Sequence, residues 1–125
     1  MARTDLTHAE LEFLREPHWG TLTTIRANGT PHVTAIAFTY ADGTVRVIAS
    51  DATQKVRNIE RTGYASVCQV DGPRWLSLEG PAVVRRDVHG IATAVDGFTE
   101  RFRPPRVNPK RIAIEITVER VLGGV

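Results

Sequence analysis

Hydrophobic positions change their period several times along the chain, and each change marks an element. The segment Thr7-His8-Ala9-Glu10 has the capping-box pattern, in which a Thr hydroxyl and a Glu three residues later each take an otherwise unpaired backbone N–H. Leu6 and Leu11 stand where a hydrophobic staple would hold the entry, and Pro17 ends the short helix. Trp19 to Arg26 is rich in Thr, Leu and Ile and reads as a strand, followed by the hairpin signal Asn28-Gly29. Pro31 to Tyr40 is the return strand, with Val33, Ala35 and Ala37 on one face. Asp42-Gly43 makes a second tight turn into a third strand, Thr44 to Ser50. Residues 19–50 are therefore an antiparallel meander and not a βαβ unit.

From Asp51 to Thr62 the period becomes helical: Val56 and Ile59 are three apart, Lys55 and Asn58 share another face, and Gly63 stands at the C-terminal cap. Tyr64 to Val70 is a strand, Asp71-Gly72-Pro73 a turn, and Trp75 to Arg86 a long strand. Gly80-Pro81 interrupts that strand as a bulge or barrel corner would. Ile91, Val95, Phe98 and Phe102 predict a second long helix over Asp87 to Phe102 despite Gly90 and Gly97. Arg103 to Pro109 is a proline-rich loop. Arg111 to Val121 alternates, with Ile112, Ile114, Ile116 and Val118 on one side, as a half-buried strand does. The expected fold is mostly β: a six-stranded antiparallel sheet closed into a barrel, with short flanking helices, because closure removes exposed edges.

Composition narrows the classes without choosing one. At 125 residues the chain is the size of one domain, expected over 1–125, and a domain this small gains from pairing with a second copy. Sixteen Lys and Arg against fourteen Asp and Glu give a net charge of +2, which makes no case for nucleic acid. The one cysteine, Cys68, excludes an internal disulfide framework and a thiolate cluster, and mid-strand among apolar residues it reads as an inert buried thiol. His8, His18, His32 and His89 are scattered, none paired at i, i+4, so no metal site is expected. No apolar run reaches the roughly 18 residues of a membrane span. The stretch Met1-Ala2-Arg3-Thr4-Asp5 lacks a signal-peptide pattern, and the expected location is cytoplasmic. Nucleophile-elbow, Walker and dinucleotide-binding motifs are absent, which leaves chemistry carried by an organic cofactor.

The informative segment runs from Ser50 to Arg61, where a strand end feeds a helix start. Unpaired backbone N–H groups and the positive end of the helix dipole meet there, a ready anion site. Ser50, Thr53 and Gln54 can donate to phosphate oxygens and Lys55 adds a full charge. Arg57 and Arg61, four apart, could share a face near the same anion. The plainer reading of the same residues is a solvated basic face with an ordinary N-cap, and spacing alone does not choose between them. Trp75, after a Gly-Pro-Arg turn, reads as core or as a stacking surface at the barrel mouth. Arg103, Arg106, Lys110 and Arg111 read as a solvated charge run.

Several blocks, in order, carry a family resemblance. They are Leu22-Thr23-Thr24-Ile25-Arg26, Pro31-His32-Val33, Ser50 with Gln54-Lys55-x-x-Asn58, and Arg74-Trp75-Leu76-Ser77-Leu78-Glu79-Gly80. With the order of elements, these blocks resemble the split β-barrel superfamily of pyridoxamine 5'-phosphate oxidases, and within it the small reductases that use coenzyme F420, a deazaflavin. The resemblance implies a homodimer with two cofactor sites at the subunit interface, and no membrane partner. Lys55 with Gln54, Asn58, Ser50 and the helix-borne Arg61 would hold the cofactor phosphate. The backbone of Ala35, Ile36, Ala37 and Phe38 would line the deazaflavin ring, and Trp75, Leu76 and Ser77 would come from the partner. The implied reaction is hydride transfer to a conjugated small molecule such as biliverdin. FMN as the cofactor, or a non-catalytic flavin- or tetrapyrrole-binding role, are the alternatives. The segment Asp87 to Phe102 matches the family poorly.

Overall fold

The structure, a computed structural model, describes residues 3–125; Met1 and Ala2, the start of the charged N-terminal stretch, lie outside them. In chain order the elements are α1 (His8–Arg15), β1 (Gly20–Ile25), β2 (Pro31–Ile36), β3 (Phe38–Ala41), β4 (Thr44–Ser50), α2 (Gln54–Thr62), β5 (Tyr64–Asp71), β6 (Arg74–Arg85), α3 (Val88–Arg101), β7 (Arg111–Thr117) and β8 (Arg120–Gly124). The strands form one antiparallel sheet in the order β2-β1-β5-β6-β7-β4-β3, with β8 added beside the first half of β6.

Eight strands stand where six were expected, and the sheet does not close. Both extra strands arise where the chain changes its hydrogen-bonding partner. The return strand 31–40 is divided at Ala37: β2 pairs with β1, whereas β3 pairs with β4. The last strand is divided at Val118–Glu119: β7 pairs with β4 and β6, and β8 then turns to the first half of β6. β2 and β3 are the two ends of the sheet order, joined through Ala37 but not laddered together, so the barrel is split between them.

Gly80-Pro81 is the corner anticipated from sequence, and β6 runs through it unbroken. Before it β6 holds β8, and after it β7. A Cβ at Gly80 would lie 1.8 Å from the Thr117 carbonyl oxygen, so this crossing needs glycine. The core lies between the two halves of the folded sheet: Leu22, Phe38, Val45, Val47, Leu76, Leu78, Ile114 and Ile116, sealed by Phe13 and Leu14 of α1 and by Val56 and Ile59 of α2. The first helix has its full capping box, Thr7 accepting from the Glu10 N–H and Glu10 from the Thr7 N–H. No helix among the described residues is long and apolar enough to cross a membrane.

Candidate cofactor site

Between β4 and α2 the backbone is pinned from outside. The Ser50 hydroxyl accepts from Asn108 Nδ2 at 2.8 Å, and the Asp51 N–H donates to the Lys110 carbonyl at 2.8 Å. Ala52 then adopts a left-handed φ of 62°, which swings Thr53 into the N-cap position of α2. Thr53 does not cap: its hydroxyl donates to the Ser50 carbonyl at 3.1 Å. The N–H groups of the first turn are thus left for a ligand or water, at the positive end of the helix. In α1 and α3 one such N–H is taken by the cap side chain, that of Glu10 by Thr7 and that of Gly90 by Asp87.

Lys55 lies half-buried in that first turn. The neighbouring carboxylates are engaged elsewhere: Asp51 and Glu60 both pair with Arg86. Burial pulls the ammonium pKa below its ordinary value, and no salt bridge to Lys55 is formed among the described residues. Arg86 sets this up from the end of β6, donating from Nε and Nη2 to Asp51 at 2.9 Å each and from Nη1 to Glu60 at 3.0 Å. These bonds and the Ala52 N–H hold the Asp51 carboxyl down to about 2.

The remaining expected phosphate ligands divide. Asn58 is fully buried, its Nδ2 donating to Thr24 Oγ1 at 3.0 Å and its Oδ1 accepting from Gln54 Nε2 at 2.7 Å. It therefore stands behind the helix face, fixing α2 to β1 and orienting Gln54. Arg57 folds back to the Ala52 carbonyl at 3.1 Å, whereas Arg61 donates to the Ile25 carbonyl at the far end of the helix. The two arginines do not converge on one anion.

Ala35, Ile36, Ala37 and Phe38 lie at the split. β2 and β3 each have one strand neighbour, so their outer backbone edges are open, and Ala37 belongs to neither. Ile36 and Phe38 turn their side chains into the core, and the Phe38 carbonyl accepts from Arg101 Nη1. Beside them, His32 Nδ1 and Thr34 Oγ1 are buried with no hydrogen-bond partner among the described residues. Both sit on the inward face of β2, His32 directly across from Thr24, which Asn58 holds. Sequence reasoning passed over these two and Arg86. The available signal was a pair of polar residues in phase with buried Ile36 and Phe38. Orphaned polar atoms beside an unpaired cation and uncapped amides fit an anionic, hydrogen-bonding cofactor.

Trp75, Leu76 and Ser77 lie elsewhere. Trp75 is seven residues along β6 from Ala82, whose N–H meets the Gly63 carbonyl at the end of α2, a separation of roughly 20 Å of strand. Leu76 is a core side chain between β5 and β8. Trp75 is 42% exposed, on a sheet face that also exposes Val33, Val70 and Leu122. One protomer does not bring Trp75 and Ser77 to Lys55. Glu16, His18 and Asp71 bring possible metal-ligand atoms within 4.8 Å of one another, but the Arg74 guanidinium already bridges the two carboxylates.

The family model for pyridoxamine 5'-phosphate oxidase matches residues 6–123. The chain belongs to that family. Among curated members, an F420H2-dependent biliverdin reductase of Mycobacterium tuberculosis is 47% identical over 122 residues, 96% of this chain and 89% of the relative. A 5a,11a-dehydrotetracycline/5a,11a-dehydrooxytetracycline reductase of Streptomyces rimosus is 30% identical over 85% of this chain and 80% of the relative. Among solved structures, a conserved hypothetical protein of M. tuberculosis superposes with a TM-score of 0.83 at 25% identity, covering 99% of this chain and 89% of that one.

Proposed function

We propose that this protein is a coenzyme F420-dependent oxidoreductase that reduces an extended conjugated substrate, with biliverdin the first candidate. It works as a homodimer of single-domain protomers whose two sites lie at the subunit interface. The observation that carries the reading is the uncapped first turn of α2 beside the unpaired, half-buried Lys55. The biliverdin reductase and the tetracycline-type reductase among its relatives both act on large conjugated molecules, which supports the substrate class.

The reduced deazaflavin supplies a hydride when bound. The chain's part is to bind, orient and desolvate. Lys55 and the first-turn amides of α2 grip the phosphate, and Arg86 keeps Asp51 from opposing it. Gln54 is oriented for the same task by Asn58, and Ser50 is fixed at the strand end by Asn108. The open edge at Ala35–Phe38 presents backbone groups to the ring, with His32 and Thr34 as further hydrogen-bonding partners. Trp75 and Ser77 of a second copy cover the ring and exclude water, which strengthens each electrostatic contact in the site. The interface is the exposed face of β5, β6 and β8 that carries Trp75, Val70 and Leu122.

Titration with F420 and with FMN, followed by single-turnover reoxidation of the reduced deazaflavin by biliverdin, tests the proposal. Tight F420 binding and biliverdin-dependent reoxidation are expected. Tight FMN binding with no response to F420 would overturn the cofactor, and bound F420H2 that biliverdin never reoxidises would overturn the substrate.

A further inference from the structure

A cavity lies apart from the start of α2. It lies under α3, has a volume of about 460 Å³, and is lined in part by Thr39, Tyr40, Arg46, Gly97, Glu100 and Arg101. That size suits a small organic ligand. α3 covers the outer face of the β3-β4-β7 half of the sheet, where the register sets Thr39, Arg46 and Glu115 in one row. The row beneath the helix is polar where a helix-covered sheet face is ordinarily apolar. Gly97 lets α3 approach this row closely: a Cβ there would stand 3.0 Å from Thr39 Oγ1.

Three arginines and one glutamate stand among the residues that line this cavity. Arg46 Nε is buried and makes no hydrogen bond among the described residues, although Glu115 Oε2 pairs with it at 3.5 Å. Glu115 also accepts from Arg85 at 3.1 Å, and Arg85 is held in addition by Asp87 at 2.7 Å. Arg101 donates to the Glu16 carbonyl, the Phe38 carbonyl and Gln69 Oε1, all neutral oxygens. Its charge is spread over hydrogen bonds but not neutralised, and burial draws its pKa down to about 10. Of the other charged groups facing the space, Arg15 is paired with Glu12, and Glu100 is exposed at the rim. Thr39 adds a hydroxyl donor. Thr39 directly follows Phe38, so the cavity begins where the open ring-lining edge ends.

We propose that this cavity is a carboxylate pocket, taking an acidic arm of the ligand seated at the split edge, with Arg46 Nε and the Thr39 hydroxyl as its hydrogen-bond donors and Arg101 as the fixed charge behind them. The inference rests on the reading of Ala35–Phe38 as the ring-binding edge and goes beyond it by assigning the acidic arm a place. Two molecules carry this chemistry: a tetrapyrrole substrate through its propionate groups, and the deazaflavin through its acidic tail.

The test uses the full chain and optical titration, with three probes and two variants. Cofactor-free protein is titrated with biliverdin and with biliverdin dimethyl ester, then separately with F420 and with the cofactor trimmed of its glutamate tail. If the arm is the substrate's, wild-type protein binds the acid on the order of 10- to 100-fold tighter than the ester, the worth of one charge-assisted hydrogen bond. Arg46→Gln and Thr39→Val each shrink that preference and leave the ester's affinity unchanged. If the arm is the cofactor's, the preference appears instead between intact and trimmed F420 and shrinks in the same variants. Equal affinity for acid and ester together with equal affinity for intact and trimmed cofactor overturns the pocket. Should Arg46→Gln fail to fold, Thr39→Val and the wild-type comparisons decide alone. Absence of any cofactor binding counts against the proposed function, while the acid–ester comparison still decides the pocket.

Discussion

Lys55 and Asn58 stand one turn apart on α2 and carry opposite burdens. Lys55 is a cation without an anion, so Lys55→Ala should weaken cofactor binding by about 1.5–3 kcal/mol and leave the melting temperature almost unmoved. Asn58→Ala should do the reverse. It strands Thr24 and Gln54 and opens a void, costing about 1–3 kcal/mol of folding free energy measured by urea unfolding. If Asn58→Ala weakens binding as much as Lys55→Ala while leaving stability intact, Asn58 is a direct ligand and not a support. The sequence placed both residues on the helix, and even the Gln54–Asn58 spacing was visible as i, i+4. What it could not give was depth, because nothing in Gln-Lys-x-x-Asn says which side chain faces Thr24. Acid should expose the paired carboxylates. Arg74 and His18 hold Glu16 at about 2, and Arg86 with the Ala52 N–H holds Asp51 at about 2, both below their ordinary values of 4.5 and 3.8. A depressed folded pKa gives stability that is complete above the unfolded pKa and lost as pH falls toward the folded one. Thermal melts should therefore be flat with respect to these two groups above about pH 5 and fall between about pH 4.5 and 2. Asp51→Asn should lessen that fall, and stability that climbs on acidification contradicts the pairing.

The elements show why some boundaries were legible and others were not. α1, α3 and the turns at Asp42-Gly43 and Gly63 lay within a residue or two of their expected places because capping and left-handed residues announce them locally. The break at Ala37 had no such signal. His32, Thr34, Ile36 and Phe38 keep a period of two straight through it, all on the inward side, and only the hydrogen-bonding partner changes. Long-range pairing leaves no trace in a local pattern. The start of β8 did leave one: buried Val121 falls out of phase with Ile112, Ile114, Ile116 and Val118. Gly80 is the element-scale test. Gly80→Ala drives a methyl into the Thr117 carbonyl where β6 exchanges β8 for β7, and should cost at least about 1–3 kcal/mol. An unchanged denaturation midpoint would mean that this corner has room the fold does not require.

At the scale of the molecule, the proposed site is divided between two copies. The phosphate cradle and Trp75 lie at opposite ends of β6, and the face holding Trp75, Val70 and Leu122 is exposed in a single chain, as an interface is before it forms. Leu122→Glu should give monomers in sedimentation velocity and lose cofactor binding with them; monomers that still bind the deazaflavin at full affinity would put Trp75 outside the site. The most direct measurement is a crystal structure of the protein with F420 bound. The expected density sets the phosphodiester oxygens within hydrogen-bonding distance of Lys55 Nζ and the first-turn amides of α2, with the ring along Ala35–Phe38 under Trp75 of the second copy. Phosphate density away from α2, with Lys55 turned to solvent, would contradict it.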